Sequence, residues 1–490
     1  MSEKKHNKWV LLAILAVAQF MVVLDVSIVN VALPTIQKSL SISQSNLQWI
    51  VTAYTLTFGG FLLLGGRATD LFGRKKLFII ATALFSAMSL LCGLAATQNQ
   101  IIIVRAAQGL MAALMSPAAL SIVISEFKEG KERNTALGVW AGVAAGGGAA
   151  GVLFGGIITQ YLGWRWNFFV NVPIGIFVAI ACVKLLPKHI GEENKESKLD
   201  ILGALLVTTG LMSIVYGLTQ APNHGWSSHQ TLTYLIGGLI LLIAFTFNEY
   251  KYKHPLMPLS IFRIRNVAGG NIAFLVVACT LFSMFFFLTL YVQGVLKYSP
   301  VRSGFSFLPV TFIIGATSAI ISRVVEKIGY KVTLTVGPIL LAIGLFVLSH
   351  SLKVGGIYWA NVFPGLALCA MGMGFTFISG TLAATSGIPK HFAGLASGLV
   401  NTSQQVGGAV GLAVLSAISV NTITKDMLGV QKYIATSIAN HHVISKLDSN
   451  NFAAIASVHG YTSALNVGVY LALGASLAVL LLVKNPKKTN

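Results

Sequence analysis

The sequence predicts an all-α integral membrane protein with fourteen transmembrane helices. Hydrophobic residues form 55% and charged residues 10% of its 490 residues, and mean hydropathy is +0.77. Soluble domains carry about 25% charged residues, and a spanning helix needs about 20 apolar residues. Fourteen such windows lie at approximately 9–33, 47–66, 77–97, 101–124, 136–159, 167–186, 200–219, 231–249, 268–292, 303–324, 332–350, 357–380, 394–420 and 460–483.

Basic residues are distributed unevenly between the predicted loops. When the N-terminus is placed inside, the inner segments hold 25 of the Lys and Arg residues and the outer loops hold 8. This asymmetry follows the positive-inside rule, so we expect a multi-pass protein of the cytoplasmic (plasma or inner) membrane with both termini in the cytoplasm. The net charge of +20 then faces anionic lipid, and nucleic acid is not an expected partner.

Three helix regions repeat at a constant offset of 256 residues. The repeated positions are Asp70, Gly73 and Lys75 with Glu326, Gly329 and Lys331, then Gly109 with Gly365, then Gly151 and Gly155 with Gly407 and Gly411. Together they indicate duplication of a six-helix unit. Internal repeats are typical of secondary transporters, whose substrate site lies where the repeats meet. The predicted divisions are a first bundle at 1–186, a linker with two extra helices at 187–262, and a second bundle at 263–490.

Asp25 is the one acid of the chain that lies within a hydrophobic window rather than near its end. A charge in mid-membrane costs about 2.5–3.5 kcal/mol on insertion scales, which indicates an ion or substrate site. Arg105 lies at a similar depth in the fourth window. Burial favours the neutral acid and a guanidinium favours the carboxylate, so the pair is predicted to bind and release a proton. A purely structural ion pair between helices 1 and 4 is the alternative.

The segment GGRATDLFGRKK (65–76) follows the second window as a predicted inner loop. Gly73 permits a tight turn. Asp70 can cap a helix N-terminus or pair with a basic group across the two halves. We therefore predict a latch that holds the inner side closed in one conformational state, with a simple basic anchor as the alternative.

A glycine-rich stretch, GGGAAGVLFGG, occupies the fifth window. Glycines four residues apart form a flat helix face that another helix can approach closely. Such a face is consistent both with simple helix packing and with a hinge dedicated to antiport. The glycines concerned are Gly147, Gly151, Gly155 and Gly156.

Five segments resemble motifs of the major facilitator superfamily. GGRATDLFGRKK resembles motif A, IIIVRAAQGL resembles motif B, and GGGAAGVLFGG resembles motif C with Val152 in place of the usual proline. LDVSIVNVALPTI (24–36) and GWRWNFFVNVPIG (163–175) resemble segments of the fourteen-spanner drug:proton antiporters of the EmrB/QacA type. The matching motif A residues, to which the resemblance assigns the latch, are Gly66, Asp70, Gly73, Arg74 and Lys75.

This resemblance implies the major facilitator fold, with two six-helix bundles and two additional transmembrane helices between them. It also implies proton-coupled export of hydrophobic or cationic drugs, or other amphiphilic small molecules, by alternating access. A dedicated exporter of one natural product, lipid or vitamin is the main alternative, and a proton-coupled nutrient importer is a weaker one. Because the second half has no predicted intramembrane acid, monovalent or neutral cargo is expected over divalent cations.

Candidate cavity-lining residues are aromatic or amide side chains within the windows. Aromatic groups make adaptable apolar walls, whereas polar groups in a membrane usually face the bundle interior. Packing against lipid or helices, and hydrogen bonds that only tie helices together, are the alternatives. The candidates are Gln19, Asn30, Phe285, Tyr291, Gln404 and Gln405.

The sequence lacks the motifs that are typical of other functional classes. No G-x-x-x-x-G-K-[ST] loop is present, so neither a nucleotide nor another cofactor is expected, and the proton gradient is the predicted energy source. The spans lack the clustered His and acids that an enzyme needs. The stretch 421–459 is predicted to be an outer loop whose His441, His442 and His459 are solvated rather than metal ligands. We expect a monomer in the bilayer.

Overall fold

The computed structural model describes residues 8–127, 131–186, 199–386, 388, 393–439 and 446–485. This part of the chain is helical and contains no β-strand. The fourteen long helices are α1 (Lys8–Ser39), α2 (Trp49–Phe72), α3 (Arg74–Leu94), α4 (Gln98–Glu126), α5 (Lys131–Tyr161), α6 (Asn171–Leu185), α7 (Ile201–His224), α8 (His229–Lys251), α9 (Arg265–Leu290), α10 (Pro300–Ile328), α11 (Tyr330–Ser351), α12 (Phe363–Thr385), α13 (Ala393–Ala439) and α14 (Lys446–Leu482).

Five short helical segments connect or extend these helices. Two are single α-helical turns and one is a 3₁₀ turn, and two are π-helical turns that continue α9 or lead into α12. They lie at Gln44–Leu47, Trp166–Phe169, Leu259–Arg263, Tyr291–Val295 and Tyr358–Val362.

The fourteen long helices confirm the predicted fold class. Within the described residues, 13 helices are long and apolar enough to cross a membrane. The remaining long helix is α5, whose 31 residues extend about 46 Å at 1.5 Å per residue. It packs against α1 and α10, so it belongs to the same bundle. The chain is a multi-pass membrane protein.

Two predicted loops are instead helical. The prediction of an outer loop at 421–459 is wrong, because α13 continues to Ala439 and α14 begins at Lys446. The segment between 421 and 439 contains no proline and one glycine, so nothing stops the helix when the apolar window ends. His441 and His442 lie outside the described residues. The predicted loop at 65–76 is likewise helical except at Gly73.

The two halves of the chain use equivalent glycine contacts. A Cβ on Gly151 of α5 would lie 2.6 Å from Cβ of Ser27 on α1. A Cβ on Gly411 of α13 would lie 2.2 Å from Sγ of Cys279 on α9. Helix pairs α1–α5 and α9–α13 therefore approach closely through repeated positions. The residue boundaries of the two bundles stay a prediction.

The turn glycines at offset 256 also adopt the same backbone conformation. Gly73 has φ +81° and Gly329 has φ +84°. L-residues rarely adopt this region, whereas glycine does so without steric cost. Both turns join consecutive antiparallel helices at one end of the bundle, the end that also carries Lys8 and Asn485. We call it the basic side and the opposite end the far side.

The two additional helices form an antiparallel pair that packs at the junction of the halves. Gly210 of α7 faces Gly238 of α8, where a Cβ would lie 2.7 Å from the Gly210 carbonyl oxygen. Helix α7 also contacts α2 and α13. The apolar cluster shared by these three helices includes Leu56, Val215 and Ala409, so α7 covers the line where α2 meets α13.

Helices α5 and α10 touch at the far side and separate toward the basic side. A Cβ on Gly156 would lie 2.5 Å from the Pro300 carbonyl oxygen. Gly138 lies on the same face of α5, five turns away, yet no described atom lies within 4 Å of its Cβ position. Gly315, three turns along α10 from Gly304, has the same open surroundings. The seam between these helices is therefore open at the basic side.

Candidate functional site

A buried ion pair joins α1 to α4. Arg105 Nη1 donates to Asp25 Oδ2 at 2.5 Å. The side chain of Asp25 is 0% exposed and that of Arg105 is 1% exposed. A close opposite charge in low-dielectric surroundings offsets part of the cost of burying each group. The two residues that the sequence singles out therefore form one site, although their functional role stays a prediction.

Two amides complete the shell of hydrogen bonds around the carboxylate. Asp25 Oδ1 accepts from Gln108 Nε2 at 3.0 Å and from Asn171 Nδ2 at 2.8 Å. Both amide residues are fully buried. Asp25 thus accepts three side-chain hydrogen bonds, from two residues of α4 and one of α6.

Arg105 also has partners other than Asp25. Its Nε donates to the Ile50 carbonyl oxygen at 3.0 Å, and its Nη1 donates to Gln108 Oε1 at 2.9 Å. The guanidinium carbon lies 4.2 Å from the centre of the Tyr54 ring, a cation–π arrangement. Because none of these contacts depends on the charge of Asp25, the guanidinium can keep its hydrogen bonds and its ring contact when the acid is neutral.

Gln108 and Asn171 were not predicted as site residues. Gln108 lies three residues after Arg105, hence on the same face of α4, and this spacing could have identified it. Asn171 lies in the GWRWNFFVNVPIG segment, but uncharged amides carry no distinctive hydropathy signal. Its contact with Asp25 spans 146 residues of sequence, and only the tertiary structure brings the two together.

The described part of motif A positions α3 against α6. Lys75 Nζ donates to the carbonyl oxygens of Val183 at 3.2 Å and Leu186 at 2.5 Å. A cation at a helix C-terminus satisfies carbonyl groups that have no partner within the helix. Gly73 makes the turn, and Arg74 begins α3. Gly66 has open surroundings, and the side chain of Asp70 lies outside the described residues.

The glycine face of α5 contacts two different helices. Gly147, Gly151 and Gly155 pack against α1, where added Cβ atoms would lie 2.6–3.2 Å from α1 atoms. Gly156 instead packs against the start of α10. The four glycines thus join α1 to α5 and the first half to the second. Their proposed role as an antiport hinge stays a prediction.

A family model decides the classification. The model described as Major Facilitator Superfamily matches residues 15–412, which include the ion pair, motif A and the glycine face. The chain belongs to the Major Facilitator Superfamily. Members of this superfamily are transporters, and the resemblance to its EmrB/QacA-type drug exporters is consistent with this match.

Several characterised superfamily members are similar over most of their length. The puromycin resistance protein pur8 of Streptomyces alboniger is 38% identical over 97% of this chain and 92% of its own. The cephamycin export protein CmcT of Amycolatopsis lactamdurans is 36% identical over 83% and 84%. The multidrug resistance protein Stp of Mycobacterium tuberculosis is 32% identical over 84% and 76%.

Solved structures of superfamily transporters share the fold. A bacterial homologue of the human lysosomal transporter Spinster, in an inward-facing and occupied conformation, has a TM-score of 0.64 at 16% identity. The alignment covers 98% of this chain and 97% of the other. A peptide transporter in complex with sulfate has a TM-score of 0.63 at 16% identity, over 97% and 96%. At such identities the likeness establishes the fold alone.

The candidate cavity residues of this superfamily member have different surroundings. Gln19 accepts from Ser116 Oγ at 3.0 Å, and Asn30 donates to the Val26 carbonyl oxygen at 3.1 Å. Phe285 packs edge-on against Phe307. Tyr291 is fully buried, and its hydroxyl donates to the Lys353 carbonyl oxygen at 2.7 Å. These contacts are compatible with the structural alternative.

One of the two glutamines of α13, Gln405, lies at the seam with α2. Gln405 lies beside Gly59, whose added Cβ would be 2.7 Å from Gln405 Cβ. Among the described residues, the buried Gln405 Oε1 has no hydrogen-bond partner, whereas Gln404 is half-buried. An unsatisfied amide at this seam is available to a polar group of a bound molecule.

Two further acids are buried at the basic side, where hydropathy placed them at helix ends. Asp200 caps α7 by accepting from the Gly203 amide at 2.8 Å. Glu249 accepts from the Met257 amide at 2.9 Å. Both carboxylates thus accept from backbone amides, Asp200 also accepts from Asn248, and a side-chain hydrogen bond joins Glu249 to Asp200. The described residues contain no cluster of three metal-ligating side chains, and His459 pairs with Asp426 at 2.7 Å.

Proposed function

We propose that the chain is a proton-coupled antiporter that exports hydrophobic or cationic amphiphiles across the cytoplasmic membrane by alternating access. The observation that carries this proposal is the fully buried Asp25–Arg105 pair, since an intramembrane charge pair that serves no cap or turn is costly without a function. The names of the relatives, which refer to puromycin and cephamycin, supply the class of cargo.

In this proposal the conformation described here is the one that loads cargo. The ionised Asp25 is tied to α4 and α6 while the seam between α5 and α10 is open at the basic side. Protonation removes the charge that attracts Arg105 and weakens these ties. A proton that enters from the far side and cargo that enters from the basic side then stabilise different states, and such competition couples their movements.

The side assignment rests on the distribution of charge. The basic side carries most of the Lys and Arg residues, which favours a cytoplasmic location for it and for both termini. The proton gradient supplies the energy, without a nucleotide, metal or organic cofactor. We propose a monomer that carries out no enzymatic reaction.

Transport in proteoliposomes tests the proposal. With the native protein, an imposed pH gradient drives accumulation of ethidium or puromycin. Asp25→Asn is expected to lose gradient-driven transport and to keep counterflow, the exchange of labelled for unlabelled cargo without net proton movement. Asp200→Asn is the matched control, because Asn caps helices as well as Asp. Full gradient-driven transport by Asp25→Asn would exclude Asp25 as the coupling site.

A dedicated exporter of one natural product is a second candidate. Two of the relatives are named for a single antibiotic, whereas Stp is named for multidrug resistance. Resistance profiles of a deletion strain and an overexpressing strain separate the two candidates. Raised tolerance to several unrelated compounds supports broad export, with monocationic dyes exported better than dicationic ones. Tolerance to a single compound supports the dedicated exporter.

A further inference from the structure

Asn171 has an unusual hydrogen-bond pattern beside the Asp25 carboxylate. Its Nδ2 donates to Asp25 Oδ1 at 2.8 Å and to Ser89 Oγ at 3.1 Å. Ser89 in turn donates to the Phe168 carbonyl oxygen at 2.8 Å, so its oxygen acts as the acceptor toward Asn171. Both amide hydrogens are therefore used. Among the described residues, the buried Asn171 Oδ1 has no donor.

Protonation changes what Asp25 requires from its neighbours. A carboxylate only accepts hydrogen bonds, whereas a neutral carboxylic acid must also donate one. Gln108 Oε1 already accepts from Arg105. Among the three residues that hydrogen-bond to Asp25, Asn171 thus offers the acceptor without a described partner, and a rotation of the amide would bring Oδ1 to the position that Nδ2 now occupies. The buried Tyr54 hydroxyl also lacks a described partner, but it makes no hydrogen bond to Asp25.

Three helices that pack around Asp25 place charged or titratable side chains near it. They are Arg105 on α4, Tyr54 on α2 and Cys92 on α3. The described parts of α5 and α6 contribute none at this depth, and Cys279 of α9 packs against Gly411 of α13. The guanidinium can only donate, so it cannot accept the proton of a neutral Asp25.

We propose that Asn171 is a positioning residue that responds to the protonation of Asp25, donating to the carboxylate and accepting from the neutral acid after its amide rotates. Rotation moves the amide hydrogens away from both Asp25 and Ser89. The neutral acid then joins α1 to α6 by donating to Asn171, whereas the donation from Asn171 to Ser89, which joins α6 to α3, is lost when the proton binds. This inference rests on the proposed function, because it requires Asp25 to titrate during transport.

The chain offers a matched control for Asn171. Asn167 lies one turn earlier, is fully buried, and donates to Thr159 Oγ1 at 2.6 Å. Its Oδ1 likewise has no partner among the described residues. It makes no hydrogen bond to Asp25, so Asn167→Leu removes an equally buried amide without altering the carboxylate.

The experiment measures the pH midpoint of ethidium transport in proteoliposomes. Asn171→Leu removes both the donor to the carboxylate and the acceptor for the neutral acid. Because the charge-assisted bond is the stronger of the two by about 1.4 kcal/mol, the midpoint is expected to rise by about one pH unit. Ser89→Ala, a milder change that frees the amide to rotate, should raise the midpoint by less. Asn167→Leu should leave it unchanged.

Infrared spectroscopy tests the rotation itself. Acid-minus-neutral difference spectra of protein labelled with ¹³C in the asparagine side-chain carbonyl should contain an amide band that is present in the native protein and in Asn167→Leu, and absent in Asn171→Leu and Asp25→Asn. An unshifted midpoint in both Asn171→Leu and Ser89→Ala, or no Asn171-dependent band, overturns the inference. If the Asn171 tests fail but Asp25→Asn still loses coupling, the proposed function is retained. If Asp25→Asn keeps coupling, both this inference and the proposed function are overturned.

Discussion

The guanidinium of Arg105 contacts four groups that lie in three helices. Besides Asp25 on α1, it contacts Ile50 and Tyr54 on α2 and Gln108 on its own helix. A planar guanidinium can serve several acceptors and stack on a ring at the same time, which a lysine ammonium cannot. The residue therefore fixes the position of the carboxylate partner as well as its charge.

We expect Arg105→Lys to fold but to transport cargo about tenfold more slowly, since losing a charge-assisted hydrogen bond costs about 1.5 kcal/mol and each 1.4 kcal/mol is a factor of ten in rate. Initial rates of gradient-driven ethidium transport check this. Arg165→Lys is the matched control, because Arg165 also stacks on an aromatic ring, that of Trp164 at 4.4 Å, but makes no hydrogen bond to Asp25. Native rates in Arg105→Lys would show that charge alone suffices.

Asp25 and Arg105 could be predicted from the sequence because a charge in an apolar window is rare and costly. Gln108 could be recognised by its spacing from Arg105, but Asn171 could not, since an amide in such a window often makes only a structural hydrogen bond, as Asn30 does with the Val26 carbonyl oxygen within α1. Asn171 acquires significance only when α6 is placed beside α1. Motif A could be located by its glycine turn, whereas the contact of Lys75 with the end of α6 depends on tertiary packing.

The face of α5 that contacts α1 packs closely because its glycines have no side chains at the contact. Because a Cβ on Gly151 would lie 2.6 Å from Ser27 Cβ, the helices cannot keep their spacing around any larger residue. Close approach of this kind depends on van der Waals packing rather than on polar bonds. A contact without polar bonds allows α1 and α5 to tilt relative to each other without breaking hydrogen bonds.

At this scale we expect Gly151→Ala to destabilise the protein by about 1–3 kcal/mol through overpacking. It should also slow transport. Gly142→Ala provides the control on the same helix, since no described atom lies within 4 Å of its Cβ position, and alanine there favours the helix by up to about 1 kcal/mol. Thermal unfolding in detergent measures both changes. Equal melting temperatures for the two variants would contradict this packing account.

Helix positions were predictable and helix ends were not. Hydropathy locates the part of a helix inside the membrane, and all fourteen windows correspond to helices. It has no information on how far a helix continues into water, so the extension of α13 to Ala439 was missed. A helix end can be recognised in the sequence where a proline or a glycine stops the helix. Gly73, which has a positive φ, is an example.

Among the described residues, the seam of α5 and α10 is packed at the far side and has no contact at Gly138 and Gly315 toward the basic side, whereas α2 and α13 stay packed as far as Leu63 and Gly398. The closed end is tight, since a Cβ on Gly304 would lie 2.7 Å from the Val152 carbonyl oxygen. Alternating access requires this contact to separate when the basic side closes. The sequence repeat predicted two related halves, but it could not predict that α7 covers the junction of α2 and α13.

A reducible cross-link across the closed end should therefore arrest export. Gln160→Cys combined with Val301→Cys, two positions in contact at 3.2 Å across this end, joined by a short bifunctional methanethiosulfonate reagent, is expected to reduce transport to background, and a reductant should restore it. The four native cysteines are buried, which limits their reaction. Each single cysteine variant treated with the reagent is the control. Unchanged transport in the cross-linked protein would mean that this contact does not open during the cycle.

Proton release on cargo binding tests the central claim most directly. In weakly buffered detergent solution, adding puromycin at a pH where Asp25 is partly protonated should release protons from the native protein, because cargo favours the ionised state. Asp25→Asn should bind puromycin without release, and Asp200→Asn should behave like the native protein. Proton release by Asp25→Asn equal to that of the native protein would contradict the claim that this carboxylate exchanges a proton for cargo.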